Sequence, residues 1–276
     1  MFKSFCVVLI LLVFGVPAYA AEAAPGSETA GTTTETLAKK LQNPVAALIS
    51  IPLQNNFEYK LGAEGKGFRY TSKLQPVIPA RINDDWNFIS RPIVPYIHQR
   101  DVIGNTKQEG FGDIELELFL SPNDAGPGGI IWGVGPILLF PTAESKELGS
   151  QKYGIGPNFC VLKQKGPWTM GILANHLVSY AGNGGRKDIS ATYLQPFFAH
   201  TTKKGFTVSV SSESTYDWKA SDRAWTIPVI GTLSQVLPFF KEYASISLGG
   251  IYYAQAPTSG PKWGIRATIT LLLPEK

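Results

Sequence analysis

The stretch Asp113-Ile114-Glu115-Leu116-Glu117-Leu118-Phe119-Leu120 decides how this chain is read. Ile114, Leu116, Leu118 and Leu120 alternate with Asp113, Glu115 and Glu117. A helix would spread those carboxylates around its circumference. A strand points successive side chains to opposite faces, so it gathers the acids on one side and the leucines on the other. The two faces must therefore meet different surroundings, one polar and one apolar.

The pattern recurs on both sides. Within 49–61, Ile51, Leu53, Phe57 and Tyr59 oppose Gln54, Asn56, Glu58 and Lys60. Within 205–217, Phe206, Val208, Val210 and Tyr216 oppose Thr207, Ser209, Ser211, Glu213 and Asp217. Within 262–273, Trp263, Ile265, Ile269 and Leu271 oppose Arg266, Thr268 and Thr270. Twelve strands are predicted, over 49–61, 67–80, 86–98, 111–121, 129–141, 152–164, 167–180, 188–202, 205–217, 224–235, 242–254 and 262–273. Those at 86–98, 129–141 and 224–235 alternate poorly.

Length separates a membrane sheet from a soluble one. Globular strands run about 5 to 6 residues, whereas a tilted membrane strand needs about 9 to 11. Hydrocarbon solvates no free N–H or C=O, so a membrane sheet must close without an edge, and an even strand number suits closure. The expected fold is all-β, a transmembrane antiparallel β-barrel of about 12 strands over 49–276 with a short N-terminal helix or leader before it. A soluble β-sandwich is the alternative; its strands would be shorter and its polar face richer in Lys and Glu. Pro76, Pro79, Pro92, Pro95, Pro136, Pro157, Pro196 and Pro228 each remove a ladder donor and are expected at bulges, strand ends or water-facing breaks of an irregular wall.

Composition agrees with a barrel. Charged residues are 17% of the 276, below the roughly 25% of soluble domains, while aromatics reach 12%. The 28 Gly and 20 Pro exclude a coiled coil, and the aromatic content excludes a disordered chain. A formal charge of +4 without Lys/Arg clusters gives no reason to expect nucleic acid. Residues 1–20 read as a signal peptide: Lys3, an apolar run from Phe5 to Val16, then Ala18-Tyr19-Ala20. Cys160 is the one cysteine beyond it, so no internal disulfide is expected. Residues 21–48 form a flexible leader followed by a possible short helix, in which Leu37, Leu41, Val45 and Leu48 share a stripe that Pro44 interrupts. That segment would either plug the lumen or pack on the rim.

With both ends of the barrel domain in the periplasm, the longer joins, such as 99–110 and 142–151, face outward. Aromatics gather near the predicted strand ends at Tyr59, Phe68, Trp86, Phe111, Trp168, Tyr180, Trp218, Trp225, Tyr243 and Trp263, as interfacial belts require.

Longer pieces add a resemblance. Asn43-Pro44-Val45-Ala46-Ala47-Leu48-Ile49-Ser50-Ile51-Pro52-Leu53-Gln54, Leu74-Gln75-Pro76-Val77-Ile78-Pro79 and Asn83-Asp84-Asp85-Trp86-Asn87-Phe88-Ile89-Ser90-Arg91 come first. Trp132-Gly133-Val134-Gly135-Pro136, Lys152-Tyr153-Gly154-Ile155-Gly156-Pro157, Tyr193-Leu194-Gln195-Pro196-Phe197 and Glu213-Ser214-Thr215-Tyr216-Asp217-Trp218 follow in order. In these the chain resembles the bacterial outer-membrane barrels of the MetA-pathway phenol-degradation family. The resemblance implies an outer-membrane location and passage of small, hydrophobic or aromatic compounds. The end Leu273-Pro274-Glu275-Lys276 departs from general outer-membrane proteins in lacking a final Phe, which leaves Leu271 and Leu273 for the assembly machinery.

The candidate working surface is the polar face. Glu58, Lys60, Arg69, Lys73, Asp113, Glu115, Glu117, Glu213, Asp217 and Arg266 are expected to project into the lumen, because Arg or Lys at mid-membrane on the lipid face costs about 2–4 kcal/mol. There they line a solute route, or pair, Glu115 and Glu117 with Arg69 or Lys73, and narrow it. Hence a passive channel for small molecules is expected first, a non-conducting structural barrel second, and a lipid-acyl hydrolase or transferase barrel third. For the last, His176 with Ser179 and His200 with Ser190 are nominal pairs without an acid in sequence. His98, His176 and His200 lack metal-ligand spacing, and Gly126-Pro127-Gly128-Gly129 and Gly182-Asn183-Gly184-Gly185 read as turns. No cofactor is expected; the expected partners are outer-membrane lipid, a small-molecule solute and the assembly machinery.

Overall fold

The computed structural model describes residues 33–273. The expected signal peptide, the leader through residue 32 and the end at 274–276 lie outside the described residues. One helix, α1 (Thr34–Leu41), precedes the strands β1 (Ile49–Leu61), β2 (Gly67–Leu74), β3 (Ile78–Arg81), β4 (Trp86–Arg100), β5 (Lys107–Phe111), β6 (Ile114–Pro122) and β7 (Ile130–Phe140). Then follow β8 (Lys152–Lys165), β9 (Trp168–Gly182), β10 (Ser190–Thr201), β11 (Phe206–Ser212), β12 (Ser214–Asp217), β13 (Trp225–Phe239), β14 (Glu242–Gln255) and β15 (Trp263–Leu273).

These segments make twelve staves of a closed antiparallel barrel. β2 and β3 are one stave, both paired with β4; so are β5 and β6 against β4, and β11 and β12 between β10 and β13. The interruptions fall at 75–77, at Gly112-Asp113 and at Glu213. The wall closes where β1 meets β15, Ile49 opposite Leu273 through to Tyr59 opposite Trp263. Among the described residues no second sheet covers Ile114, Leu116, Leu118 and Leu120, so the sandwich alternative fails.

Side-chain exposure sorts the two faces. Leu53, Val134, Ile155, Val208, Leu233, Leu248 and Ile269 are each more than 40% exposed on the outer surface. Their lumenal neighbours Asn56, Asn158, Ser245, Arg266 and Thr270 are buried. Such an inversion of the usual soluble arrangement is stable only where hydrocarbon bathes the outside. Aromatic pairs mark both rims. Tyr59 stacks on Trp263 at 4.4 Å and Tyr216 packs against Trp218 at 4.7 Å at one end, while Trp168 and Phe198 lie 5.0 Å apart at the other. Tyr243 leaves the expected belt, because its parity with Ser245 and Ser247 turns it inward onto α1.

Two prolines test the irregular wall. Pro136 of β7 and Pro157 of β8 stand directly opposite each other, mid-strand and outward, not at a strand end. Pairing with β6 on one side and with β9 on the other lapses beside them. The preceding glycines explain how the neighbours close in. A Cβ on Gly135 would collide with the Leu118 carbonyl oxygen, and one on Gly156 with that of His176. Each Gly-Pro pair thus trades a ladder bond for a close backbone approach.

The expected helix is shorter than its apolar stripe from Leu37 to Leu48. Thr33 Oγ1 caps it by accepting from the Thr36 amide at 3.2 Å, Glu35 and Lys39 pair at 2.6 Å, and the helix ends at Leu41 before Pro44. The stripe then divides. Leu37, Ala38, Ala46 and Leu48 pack with Val236 of β13 and Leu272 of β15. Val45 packs among Ile89, Phe119, Cys160, Leu162 and Leu173 on β4, β6, β8 and β9. Since these staves lie on opposite sides, residues 33–48 cross the lumen at the end where β1 begins and β15 finishes. The segment is a plug within the bore, not a rim helix.

Candidate functional site

Above the plug lies a chamber of about 430 Å³. Its floor is made by residues 40–44, Ala46 and Leu48, and its walls by the inward positions of the staves. Charged side chains meet across it. Arg266 of β15 donates from both terminal nitrogens to Glu213, at 2.5 and 3.0 Å, and from Nε to Asn56 Oδ1 at 2.8 Å. The interruption between β11 and β12 puts Glu213 there. β13 and β14 lie between those staves, so the pair is a chord across the bore rather than a contact between neighbours. On the other side Arg91 of β4 donates to Glu117 of β6 at 3.2 Å and to Gln75 Oε1 at 3.2 Å. Tyr193 lines the same chamber.

A second cavity, of about 570 Å³, opens at the end carrying the longer loops. Ser150, Arg186, Lys187, Asp188 and Asp217 line it. Ala191 and Thr215 line both cavities, so the two adjoin along β10 and β12. The mouth is built by tied loops. Asp113 accepts from the amides of Ala143 and Ser150, at 3.1 and 2.6 Å, and from the Ser150 hydroxyl. Arg186 donates to the carbonyls of Lys146, Gly149 and Ser150. The loop 142–151, expected as an outward-facing join, is therefore a folded element with Leu148 buried. Lys152 Nζ, donating to Asp188 at 2.8 Å, holds that carboxyl below its ordinary range.

The sequence-predicted lumen residues divide into three groups. Lys73, Glu115, Glu117, Glu213 and Arg266 line the chamber. Glu58 accepts from the Tyr253 hydroxyl and Arg69 donates to Gln99 at 2.9 Å, both inside the wall. Lys60, Asp113 and Asp217 belong to the mouth: Lys60 is exposed at the bulge between Tyr59 and Leu61, Asp113 ties the loop, and Asp217 pairs with Lys187 at 2.8 Å. One expected partner of the acidic strand is corrected. Arg69 is taken by Gln99, and the cation hydrogen-bonded to Glu117 is Arg91, which the reading of 86–98 passed over. Its flanking inward residues Ile89 and Ile93 are apolar, so the alternation that would have exposed it is missing. Parity alone, counted from Arg69 and Lys73 through the β2–β4 hairpin, would have found it.

The nominal catalytic pairs do not assemble. His176 faces outward and meets Thr192 Oγ1 at 2.8 Å, whereas Ser179, of opposite parity, bonds the Ile189 amide and Asp188 inside the mouth. His200 packs on Trp168 at one rim and Ser190 begins the same strand at the other. His98 pairs with Glu109 at 3.1 Å.

No protein-family model and no curated protein sequence matches this chain. Solved structures do. The fold is similar to that of an outer-membrane channel from Pseudomonas putida F1, at 12% identity over 91% of this chain and 100% of that one, with a TM-score of 0.64. Similarity to the KdgM porin in complex with oligogalacturonate is weaker, at 8% identity over 82% and 99% of the chains and a TM-score of 0.44. The β domain of the Bordetella autotransporter BrkA gives 11%, 82% and 100%, with a TM-score of 0.45. The chain has the fold of an outer-membrane barrel: a closed twelve-stave wall, here with its own N-terminal segment inside the bore.

Proposed function

We propose that this protein is an outer-membrane channel through which small molecules diffuse passively. The observation that carries the reading is the adjoining pair of cavities, which lead from the mouth at Asp188 and Asp217, past Ala191 and Thr215, to the plug at residues 40–48. The longer loops then face the exterior and the plugged end faces the periplasm. Outer-membrane lipid bathes Leu233, Leu248 and Ile269, and the assembly machinery reads the last strand through Leu271 and Leu273. The resemblance to phenol-degradation barrels makes small hydrophobic or aromatic compounds candidate solutes.

Solute passes when the plug yields. Apolar packing holds it, and one hydrogen bond reaches from the barrel wall to α1, Gln164 Nε2 to the Lys39 carbonyl at 2.9 Å. Reconstituted full-length protein is expected to give single-channel steps in planar bilayers. Absence of steps, both in the native protein and in Val45→Asp, would favour the second reading, a non-conducting structural barrel, which the seated plug supports.

A further inference from the structure

The chamber has two unlike sides. On β13, β14 and β15 its wall carries Ser234, Ser245, Ser247, Thr268 and Thr270. Ser234 stands opposite Ser247, Ser247 opposite Thr268, and Ser245 opposite Thr270, so the hydroxyls form a grid continuous across three staves. Neighbours are roughly 5 Å apart across strands and 7 Å along them. None of the five side chains hydrogen-bonds another group of the described protein, although Ser245 is 4% and Thr270 6% exposed. A buried hydroxyl facing a cavity without a protein partner is free to be satisfied by whatever fills that cavity. Across the bore, Ile93, Ile137 and Leu177 supply apolar positions between Arg91, Glu115, Glu117 and Asn175.

Charge on the chamber wall is balanced, while Lys40 of the plug adds one cation at the floor. The barrel wall contributes Lys73, Arg91 and Arg266 against Glu115, Glu117 and Glu213, and both arginines are hydrogen-bonded to a glutamate. An entering ion would leave its hydration shell and find a wall without net charge. A neutral molecule bearing several hydroxyls would exchange water hydrogen bonds for grid hydrogen bonds and lay its C–H face on the isoleucines and Leu177. Pockets of about 300–1,000 Å³ hold ligands of that scale.

We infer that the chamber is a selectivity site for neutral polyhydroxylated solutes of monosaccharide size. This rests on the channel reading above and sets, in place of hydrophobic or aromatic compounds, a solute class that the hydroxyl grid favours. Osmotic swelling of proteoliposomes containing the full-length protein tests it, with a hexose, the matching hexuronate and the matching hexosamine as probes. The hexose is expected to enter faster than either ion. Ser247→Ala with Thr268→Val is expected to slow the hexose about fivefold, as for loss of one or two hydrogen bonds, and to leave heat-modifiable mobility on gels unchanged. Thr268→Ser alone, which keeps the hydroxyl, should retain the native rate. Ions entering as fast as the hexose, or a hexose rate indifferent to the double substitution in a folded barrel, overturns this inference while leaving the channel intact. No swelling by any probe, in the native protein or in Val45→Asp, overturns both.

Discussion

Arg266 and Glu213 are joined by two hydrogen bonds although β13 and β14 separate their staves. Neither is a cross-strand neighbour of the other, so the pair ties a quarter of the barrel circumference together through its interior. Removing one partner leaves a charge facing the bore without compensation, whereas removing both leaves two neutral groups. Glu213→Gln and Arg266→Gln are therefore expected each to lower unfolding stability in guanidinium by more than the double substitution implies. The coupling should be about 1–3 kcal/mol. Glu213→Gln should also move the reversal potential toward anions, since Arg266 would stand uncompensated. Additive single effects and an unchanged potential would show the chord to be energetically idle.

The plug offers a test with a native thiol. Val45 shares a buried cluster with Cys160, and its Cγ1 lies 2.9 Å from where a Cβ on Gly133, the cross-strand partner of Cys160, would sit. Val45→Cys is expected to form a disulfide with Cys160 under mild oxidation, detected by mass spectrometry, and to abolish channel steps until reduced. Val45→Asp should act the other way. Burying an unpaired carboxylate there costs at least about 3 kcal/mol, so the segment should leave its seat and conductance should rise. Two freely alkylated thiols after oxidation of the first variant would mean that residues 33–48 do not rest where they are seen.

Most of the barrel was legible because one rule, side-chain parity, governs every stave. Glu115, Glu117 and Arg266 fall inward and Leu116, Leu118 and Ile269 outward, as alternation requires. The rule failed where the lumen itself is apolar. Ile89 and Val236 face inward against Val45 and Leu37, so their strands lost the contrast that marks a strand, and Arg91 was hidden with them. The missing information was the plug, whose position depends on contacts between residues far apart in sequence. The same limit applies to Glu213: its parity was readable, but its union with Arg266 across two intervening staves was not.

The Gly-Pro pairs predict opposite outcomes for chemically identical changes. Gly135→Ala and Gly156→Ala would drive a methyl into the Leu118 or His176 carbonyl, and overpacking of this kind costs about 1–3 kcal/mol. Gly231→Ala and Gly250→Ala place the same methyl where nothing lies within 4 Å. Refolding yield in detergent, scored by heat-modifiable gel mobility, should fall for the first two and hold for the second two. Equal yields across all four would show that the close backbone approach beside Pro136 and Pro157 is not part of the folded wall.

The apolar belt can be tested against the bore using adjacent residues. Leu248 is 61% exposed on the outside, and Ser247, one position earlier, lines the chamber. Arginine at Leu248 must enter hydrocarbon, at a cost of about 2–4 kcal/mol near mid-membrane and less toward the rims. Arginine at Ser247 enters water and meets the carboxylates of the chamber. Leu248→Arg is thus expected to destabilise the barrel in lipid vesicles, measured by guanidinium unfolding, by at least about 2 kcal/mol more than Ser247→Arg. Ser247→Arg should instead reduce single-channel conductance at nearly native stability. The reverse order of stabilities would place Leu248 inside and Ser247 outside, and no membrane barrel could be built from that register.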